Sequence, residues 1–596
     1  MKIFDEDILT AQNEESTLSK GISRRQFITG TVGSAAVLGA ATTLMPGVVA
    51  AAPLGEREAA PRSSPAAVST AQAVPVPANW SYTADVVVVG YGGSGAVSAI
   101  SAHDAGANVL VLEKTPSYAQ MGVANPPLSG GGGNTCMNAG GCSHVTDPVA
   151  AANYLYQANW GNTPFSVCQA LAWMETENVS WLTQMGVKFT TPAPAAPEFP
   201  TFGTSSGMSS FSLTGGGHQW FQTLDGLVQG RNITVLFNTP ATDLIQDPAT
   251  KQILGVQALA NNSQVVNIKA NKGVILCTGS FEFNEQLKSD YLKTYPLHGS
   301  GWQFDTGDAV KMASKVGAAM WHMGVASLNL GAWFPDYPNA FGGSSPSEHG
   351  YIYVDRYGNR WGNETLLGFG PGAHTWNFWL RLTDFDFNLP GYTRIPTFVI
   401  FDEACRKAGP VSSGSSGALP AYLDPRPKWS SDNTVEIAKG WIQQGADIPT
   451  LVQAMNAKTY VGVPPGSGVG GPSAAINVGI NPATLMATIN SWNAMVTAGS
   501  GDTVFGRAAS TMAPISTPPY YSMPLWPGGP SLYGGPVRNE QGQVCDIDGN
   551  PIPRLYGAGE SGNIMGGLLD VTTNNGQMIA CGRVAGTNAA SETPWS

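Results

Sequence analysis

Four consecutive valines, Val86 to Val89, run into the turn Gly90-Tyr91-Gly92-Gly93-Ser94-Gly95. A β-branched apolar run of this kind suits a strand buried on both faces of a parallel sheet. The turn fits G-x-G-x-x-G. Ala96 to Ala105 is rich in small residues and reads as a helix, and Ala107 to Leu112 reads as a second strand closed by Glu113. Strand, glycines, helix, strand and acid in this order predict a dinucleotide-binding βαβ unit. Gly90 permits the tight turn, Gly92 lets backbone approach a pyrophosphate, and Gly95 lets the helix pack on the strand. The helix N-terminus offers free N–H groups and a positive dipole end to phosphates. Glu113 stands where a carboxylate accepts hydrogen bonds from a ribose.

The chain has 596 residues, enough for two or more domains with large cores. Charged residues are 12%, about half the usual share, while apolar content is an ordinary 42%, so the abundant Gly and Pro predict long ordered loops. A net charge of −11 argues against a nucleic-acid partner. No segment beyond the leader reaches the ~18 apolar residues a membrane span needs. The seven cysteines, Cys136, Cys142, Cys168, Cys277, Cys405, Cys545 and Cys581, form no C-x-x-C, which excludes a zinc ribbon, a ferredoxin-type cluster run and a haem-attachment motif. Cys136 and Cys142 with His144 are a weak metal-ligand set, and no metal is expected.

Residues 1–52 read as an export signal: Ser23-Arg24-Arg25-Gln26-Phe27-Ile28 is a twin-arginine motif before a Gly/Ala-rich, weakly apolar stretch. That route carries folded proteins and places the mature chain in the periplasm or on the outer face of the cytoplasmic membrane. Residues 53–78, rich in Ala, Pro and Ser, read as a linker. A first sheet domain is expected over 79–297 and again over 530–596, with a loop-rich, aromatic capping domain at 298–529 inserted between. The cap carries Trp302, Trp321, Trp333, Trp361, Trp376 and Trp379. The Gly-dense loop Ser129 to Thr135, continuing to Gly140-Gly141, suits backbone running beside a flat ligand. Gly273 to Phe281 reads as a buried strand ending at the sheet's carboxyl edge, where ligands bind in doubly wound sheets. Leu555 to Gly562 is a strand and Gly-turn, and Asn574 opens a final helix.

Together VVVVGYGGSGAVSA with VLVLEK, GGGNTCMNAGG, GVILCTGSFEFN, DTGDAVKMASKVGA, YGNRWGNE, TPPYYSMPL with YGGPVRNEQGQV, and IPRLYGAGESG…GRVAG resemble the flavoprotein family of fumarate reductase, succinate dehydrogenase, urocanate reductase and the 3-ketosteroid dehydrogenases. The resemblance covers most of the chain from about Ala84. It implies an α/β fold: a discontinuous Rossmann-like FAD-binding domain with an inserted α+β capping domain. Gly90, Gly92, Gly95 and Glu113 would hold the ADP half of FAD, Asn134 and Thr135 would lie near the isoalloxazine, Gly559 and Glu560 near the ribityl chain, and Asn575 and Gly576 near the pyrimidine edge. Gly93, Ser94, Lys114, Gly141 and Gly279 are expected to be further cofactor contacts.

The departures bear on substrate. Where fumarate-reducing members carry a His before T-G-D stands Trp302, and their proton-donating Arg is matched by the Thr365 to Phe369 stretch, which holds no cation. Their later His is matched by Ser531, and their carboxylate-binding Arg by Leu569, which also fails to supply the ketosteroid enzymes' Tyr. A small dicarboxylate needs several positive donors, each worth ~1.5–3 kcal/mol. Their loss makes fumarate and succinate unfavoured substrates. A bulky, mostly neutral enone, steroid-like compound or aryl enoate fits an apolar, aromatic pocket better.

Candidate proton donors are Tyr533, Tyr521, Arg381, His322 and Asp570. Tyr533 lies beside the Gly534-Gly535 pair. Tyr520 and Tyr521 also suit packing at their Pro-Pro turn, and His322 suits a buried, satisfied histidine. Arg381 and Arg394 could serve a substrate carboxylate or a surface ion pair, and Asp570 a base or a helix cap. The resulting expectation is an exported FAD-dependent oxidoreductase acting on CH–CH groups, reducing a C=C bond conjugated to a carbonyl. It would draw electrons from a separate redox protein or quinone system. The reverse dehydrogenase reaction, a catalytically silent flavin-binding protein and an O2-using oxidase are the alternatives.

Overall fold

The computed structural model describes residues 74–595 except 196, 198, 204, 343–345, 347–348, 368–380, 413–422, 425, 471–473 and 567–572. The twin-arginine segment, Trp376, Trp379, Leu569 and Asp570 lie outside the described residues.

The four valines explain the first sheet. They sit in the strand Tyr82–Val89, and all four are buried. Val86 and Val88 pack into one hydrophobic cluster, Val87 and Val89 into another, so the strand is covered on both faces. It pairs in parallel with Val109–Leu112 on one side and Gln264–Leu276 on the other. The sheet runs Gln543–Cys545, Pro551–Gly557, Gln264–Leu276, Tyr82–Val89, Val109–Leu112, Thr234–Leu236, with Ala241–Gln246 and Ile253–Ala260 as an antiparallel extension. The helices Gly93–Asp104 and Thr573–Ser591 pack against each other on one face. The helix Asp308–Lys315 covers the other through Ala309, Met312 and Ala313. The sequence from Asp308 to Ala318 therefore belongs to the nucleotide sheet's core, although it lies within the stretch expected to form the cap.

A second sheet is built on Tyr520–Leu532, which pairs with His298–Gly299, Ala326–Gly331, Thr397–Asp402 and Gln443–Gly445, while Tyr351–Val354 extends it. Its core holds Trp333, Trp361, Trp429, Trp441, Trp492 and Trp526. Most of the cap's tryptophans are thus structural: Phe334 and Trp441 stack at 4.2 Å, and Trp333 stacks on His298 at 3.7 Å. Trp302 belongs instead to the first domain's core cluster. The long strand Tyr520–Leu532 ends by placing Ser531 opposite Ser327, at the border between the two cores.

Along the chain, between the first two parallel strands and the rest of the first sheet, stand three helices, Pro148–Ala158, Phe165–Glu175 and Asn178–Gln184. No described helix is long and apolar enough to cross a membrane.

Candidate active site

A cavity of about 310 Å³ opens at the carboxyl ends of the parallel strands and reaches the border with the second sheet. At one end lies the fingerprint turn. Gly90 has φ +102°, and a Cβ there would sit 2.3 Å from the Cys277 carbonyl oxygen. On Gly95 it would sit 2.0 Å from the Gly90 carbonyl oxygen, so the close packing of helix on turn requires glycine. The helix Gly93–Asp104 has no side-chain N-cap. Gly93 N–H is taken by Thr135 Oγ1 at 3.1 Å, which leaves Ser94 as the helix-end residue that faces the cavity with its backbone amide. Glu113 is fixed at the turn's mouth, accepting from Tyr91 N–H at 2.9 Å through one oxygen and from Thr115 N–H and Oγ1, both at 2.8 Å, through the other.

The glycine loop works differently from expectation. Gly130, Gly131, Gly132 and Gly133 all have positive φ. A Cβ on Gly131 would lie 2.5 Å from Tyr91 O, and one on Gly132 would lie 2.3 Å from Cys136 Sγ. These residues are glycine because the loop packs against the fingerprint turn. It is Gly133, Asn134 and Thr135 that reach the cavity wall.

Of the residues expected to hold the cofactor, Gly90, Gly92, Gly93, Ser94, Glu113, Lys114, Asn134, Thr135, Gly141, Gly279, Gly559, Glu560 and Asn575 all line this cavity. Gly95 lies beneath it. Gly576 does not face it: a Cβ there would strike Ser143 Oγ at 1.9 Å, so its role is helix packing. Lys114 is paired at 2.7 Å with Asp308 and donates to Thr306 at 2.9 Å.

The proton-donor candidates scatter. Tyr533 is fully buried; its hydroxyl accepts from Asn574 Nδ2 at 3.0 Å, and burial holds it protonated, well above the usual phenol range. It stands one hydrogen bond from the cavity, which Asn574 lines. His322 stacks on Trp321 at 4.4 Å and bonds the Asn563 carbonyl at 2.8 Å through Nδ1. Burial lowers its pKa to about 4, so it is a neutral, satisfied histidine away from the cavity lining. Arg381 is exposed and donates to the Trp361 carbonyl at 3.3 Å, and Arg394 sits over the Trp361 ring; neither lines the cavity. Tyr521 donates to Glu403 at 2.6 Å within the second sheet. Cys136 and Cys142 are buried in the core, and His144 bonds the Glu175 carbonyl.

Two features were missed in the sequence. Arg538 is buried and donates to the carbonyls of Gly557, Gly559 and Gly562, fixing the turn that presents Glu560. Its signal was a lone cation inside YGGPVRN. The other is a group of three carboxylates, Glu282, Asp305 and Glu560, whose oxygens lie within 4.8 Å of one another. Asn134 Nδ2 donates to Glu282 Oε1 at 3.0 Å and to Glu560 Oε2 at 2.8 Å. Burial raises Glu282 and Asp305 well above the carboxylate range and pushes Glu560 up to about 7.

A glycine turn opening a helix with no side-chain cap, a carboxylate tied to that turn and a cavity at the carboxyl ends of the parallel strands are the features of a dinucleotide-binding fold. The chain matches the FAD binding domain family over residues 85–572 and belongs to it. It is 26% identical over 612 residues to the digoxin reductase of Eggerthella lenta, covering 97% of this chain and 98% of that one. To the urocanate reductase of the same organism it is 24% identical, covering 85% and 74%. Its fold is that of the 3-ketosteroid Δ1-dehydrogenase from Sterolibacterium denitrificans, with a TM-score of 0.67, 19% identity, and coverage of 85% of this chain and 99% of that one. The protein is an FAD-dependent oxidoreductase acting on CH–CH groups. The open helix end and the glycine cradle fit the cofactor, which supplies hydride transfer when bound. This chain's residues supply the cradle, the orienting carboxylate at Glu113 and the closed wall at Asn134, Trp302, Ser327 and Ser531.

Proposed function

We propose that the protein reduces a C=C bond conjugated to a carbonyl in a bulky, mostly neutral substrate: an enone, a steroid-like compound or an aryl enoate. The observation that carries this reading is the charge of the cavity wall. Among the described lining residues Lys114 is the one cation, and its ammonium is already committed to Asp308 and Thr306. The far end offers Trp302, Ser327, Ser531 and Asn574. Such a wall gives hydrogen bonds and apolar area but no partner for two carboxylates, which need charged donors once desolvated. Full-length similarity to a digoxin reductase supports the same substrate class.

Export by the twin-arginine route to the periplasm or the outer face of the cytoplasmic membrane is part of the proposal, resting on Arg24-Arg25 and the Gly/Ala-rich stretch that follows. So is a separate electron donor, a redox protein or quinol system. Reduced viologen oxidation by the purified protein, run against a panel of enones, aryl enoates and fumarate, tests the reading. Turnover of neutral enones with none of fumarate is expected. Fast fumarate turnover would overturn the substrate assignment.

A further inference from the structure

We infer that Glu282, Asp305 and Glu560 form a shared-proton carboxyl cluster that supplies the proton for the reaction, delivered to the cavity through the Ser531 hydroxyl. This rests on the reading of the protein as a C=C reductase.

The cluster stands on geometry. Three acids brought together from distant parts of the chain meet within 4.8 Å, and Glu282 and Asp305 are buried. Three carboxylates cannot all be ionised at that spacing out of water without a cation. The two lysines whose charge bears on the cluster are committed elsewhere: Lys288 pairs with Glu285 at 2.7 Å and donates to the Leu297 carbonyl, and Lys114 pairs with Asp308. The other groups bearing on the cluster, Asp308, Glu113 and Tyr533, are acidic or neutral. Among the described residues the hydrogen bonds given to the cluster also fall short of three anions. Asn134 serves two members, Ser280 Oγ serves Glu282 at 2.8 Å, and Ser531 Oγ serves Glu560. Among the described residues, Asp305, which lines the cavity, leaves its buried Oδ2 without a hydrogen-bond partner. A buried carboxylate oxygen with no donor is costly unless the group carries a proton.

Position gives the proton somewhere to go. Ser531 lines the cavity and is hydrogen-bonded to Glu560, and Asn134, which ties Glu560 to Glu282, also accepts from Trp302 N–H at 2.5 Å. In reducing a C=C bond the cluster breaks one carboxyl O–H bond. Ser531, whose hydroxyl donates to Glu560 at rest, turns that O–H toward the substrate, passes its proton to the carbon next to the carbonyl and takes the proton released by Glu560, while the hydride goes to the other carbon. The carboxylate left behind regains a proton from solvent, and the electron donor restores the hydride.

Infrared spectroscopy of the protein, with and without FAD, tests the cluster independently of any substrate. A carboxylic-acid C=O band at neutral pH is expected, shifting in D2O and weakened in Asp305→Asn and in Glu282→Gln. In Asp305→Asn, turnover per bound flavin with the substrate that wild type uses is expected to fall about 100-fold, a larger loss than any in the rate of flavin reduction by viologen. Absence of the band in wild type would overturn the inference. So would stoichiometric binding of Mg²⁺ or Ca²⁺ that abolishes the band, or a normal turnover rate in Asp305→Asn. If no substrate is turned over by wild type, the reductase reading fails while the infrared result still decides whether the cluster holds protons.

Discussion

The backbone N–H of Tyr91 donates to Glu113 Oε2 at 2.9 Å, so the glycine fingerprint turn and the acid that closes the second strand are one hydrogen-bonded unit. Thr115 holds the other oxygen. Glu113→Gln keeps the shape but removes the charge and one acceptor. FAD affinity is expected to fall by about tenfold or more, since a hydrogen bond to a charged group is worth ~1.5–3 kcal/mol. Titration of the apoprotein with FAD, followed by flavin fluorescence, measures it.

Gly95→Ala tests the packing beneath that turn. The added methyl would lie 2.0 Å from Gly90 O, backbone that cannot step aside. A stability loss of about 1–3 kcal/mol is expected from overpacking, together with loss of bound flavin. Ala at Gly106, where no atom lies within 4 Å but φ is +89°, separates backbone strain from steric clash.

His322 gives a pH prediction whose sign is fixed by burial. Its folded pKa is lowered to about 4 from 6.5. Between these values the unfolded chain binds the extra proton, so this group's contribution to stability falls as pH drops through 6.5 toward 4. Between pH 7 and 5 that is about 2 kcal/mol. Glu560 acts in the opposite sense: a raised carboxyl pKa makes the folded state the better proton binder, and stability declines as pH rises toward 7. The difference between wild type and His322→Gln isolates the histidine: the variant's urea midpoint is expected to lose less on acidification. An unchanged difference across this range would remove His322 from the account.

Arg538 holds three carbonyls of the Gly557–Gly562 turn from a fully buried position. Arg538→Lys cannot reproduce the planar fork. A loss of about 3 kcal/mol is expected, because buried carbonyls are left without donors, and with it weaker FAD retention. Thermal denaturation and flavin release on gel filtration check both.

The fingerprint from Val86 to Glu113 was legible because each part obeys local rules: alternate valines serve two buried faces, and positive-φ or close-packed positions admit only glycine. The cap was legible as a change of texture but not in detail. Trp333 and Trp361 read equally well as pocket wall or core, and only packing shows them in the core. Helix Asp308–Lys315 carries no signal of which sheet it covers. The carboxyl cluster was hidden because its members come from three separate turns, each acid reading as an ordinary polar residue of its own loop. Glu560 was singled out through the resemblance; Glu282 and Asp305 become visible only when the turns converge.

Anaerobic reoxidation of the dye-reduced protein by single substrates, followed by the return of flavin absorbance, tests the central claim most directly. Fast, stoichiometric reoxidation by a neutral enone with little by fumarate is predicted. Purified protein that binds no FAD, or whose flavin is reoxidised by fumarate and not by enones, would contradict it.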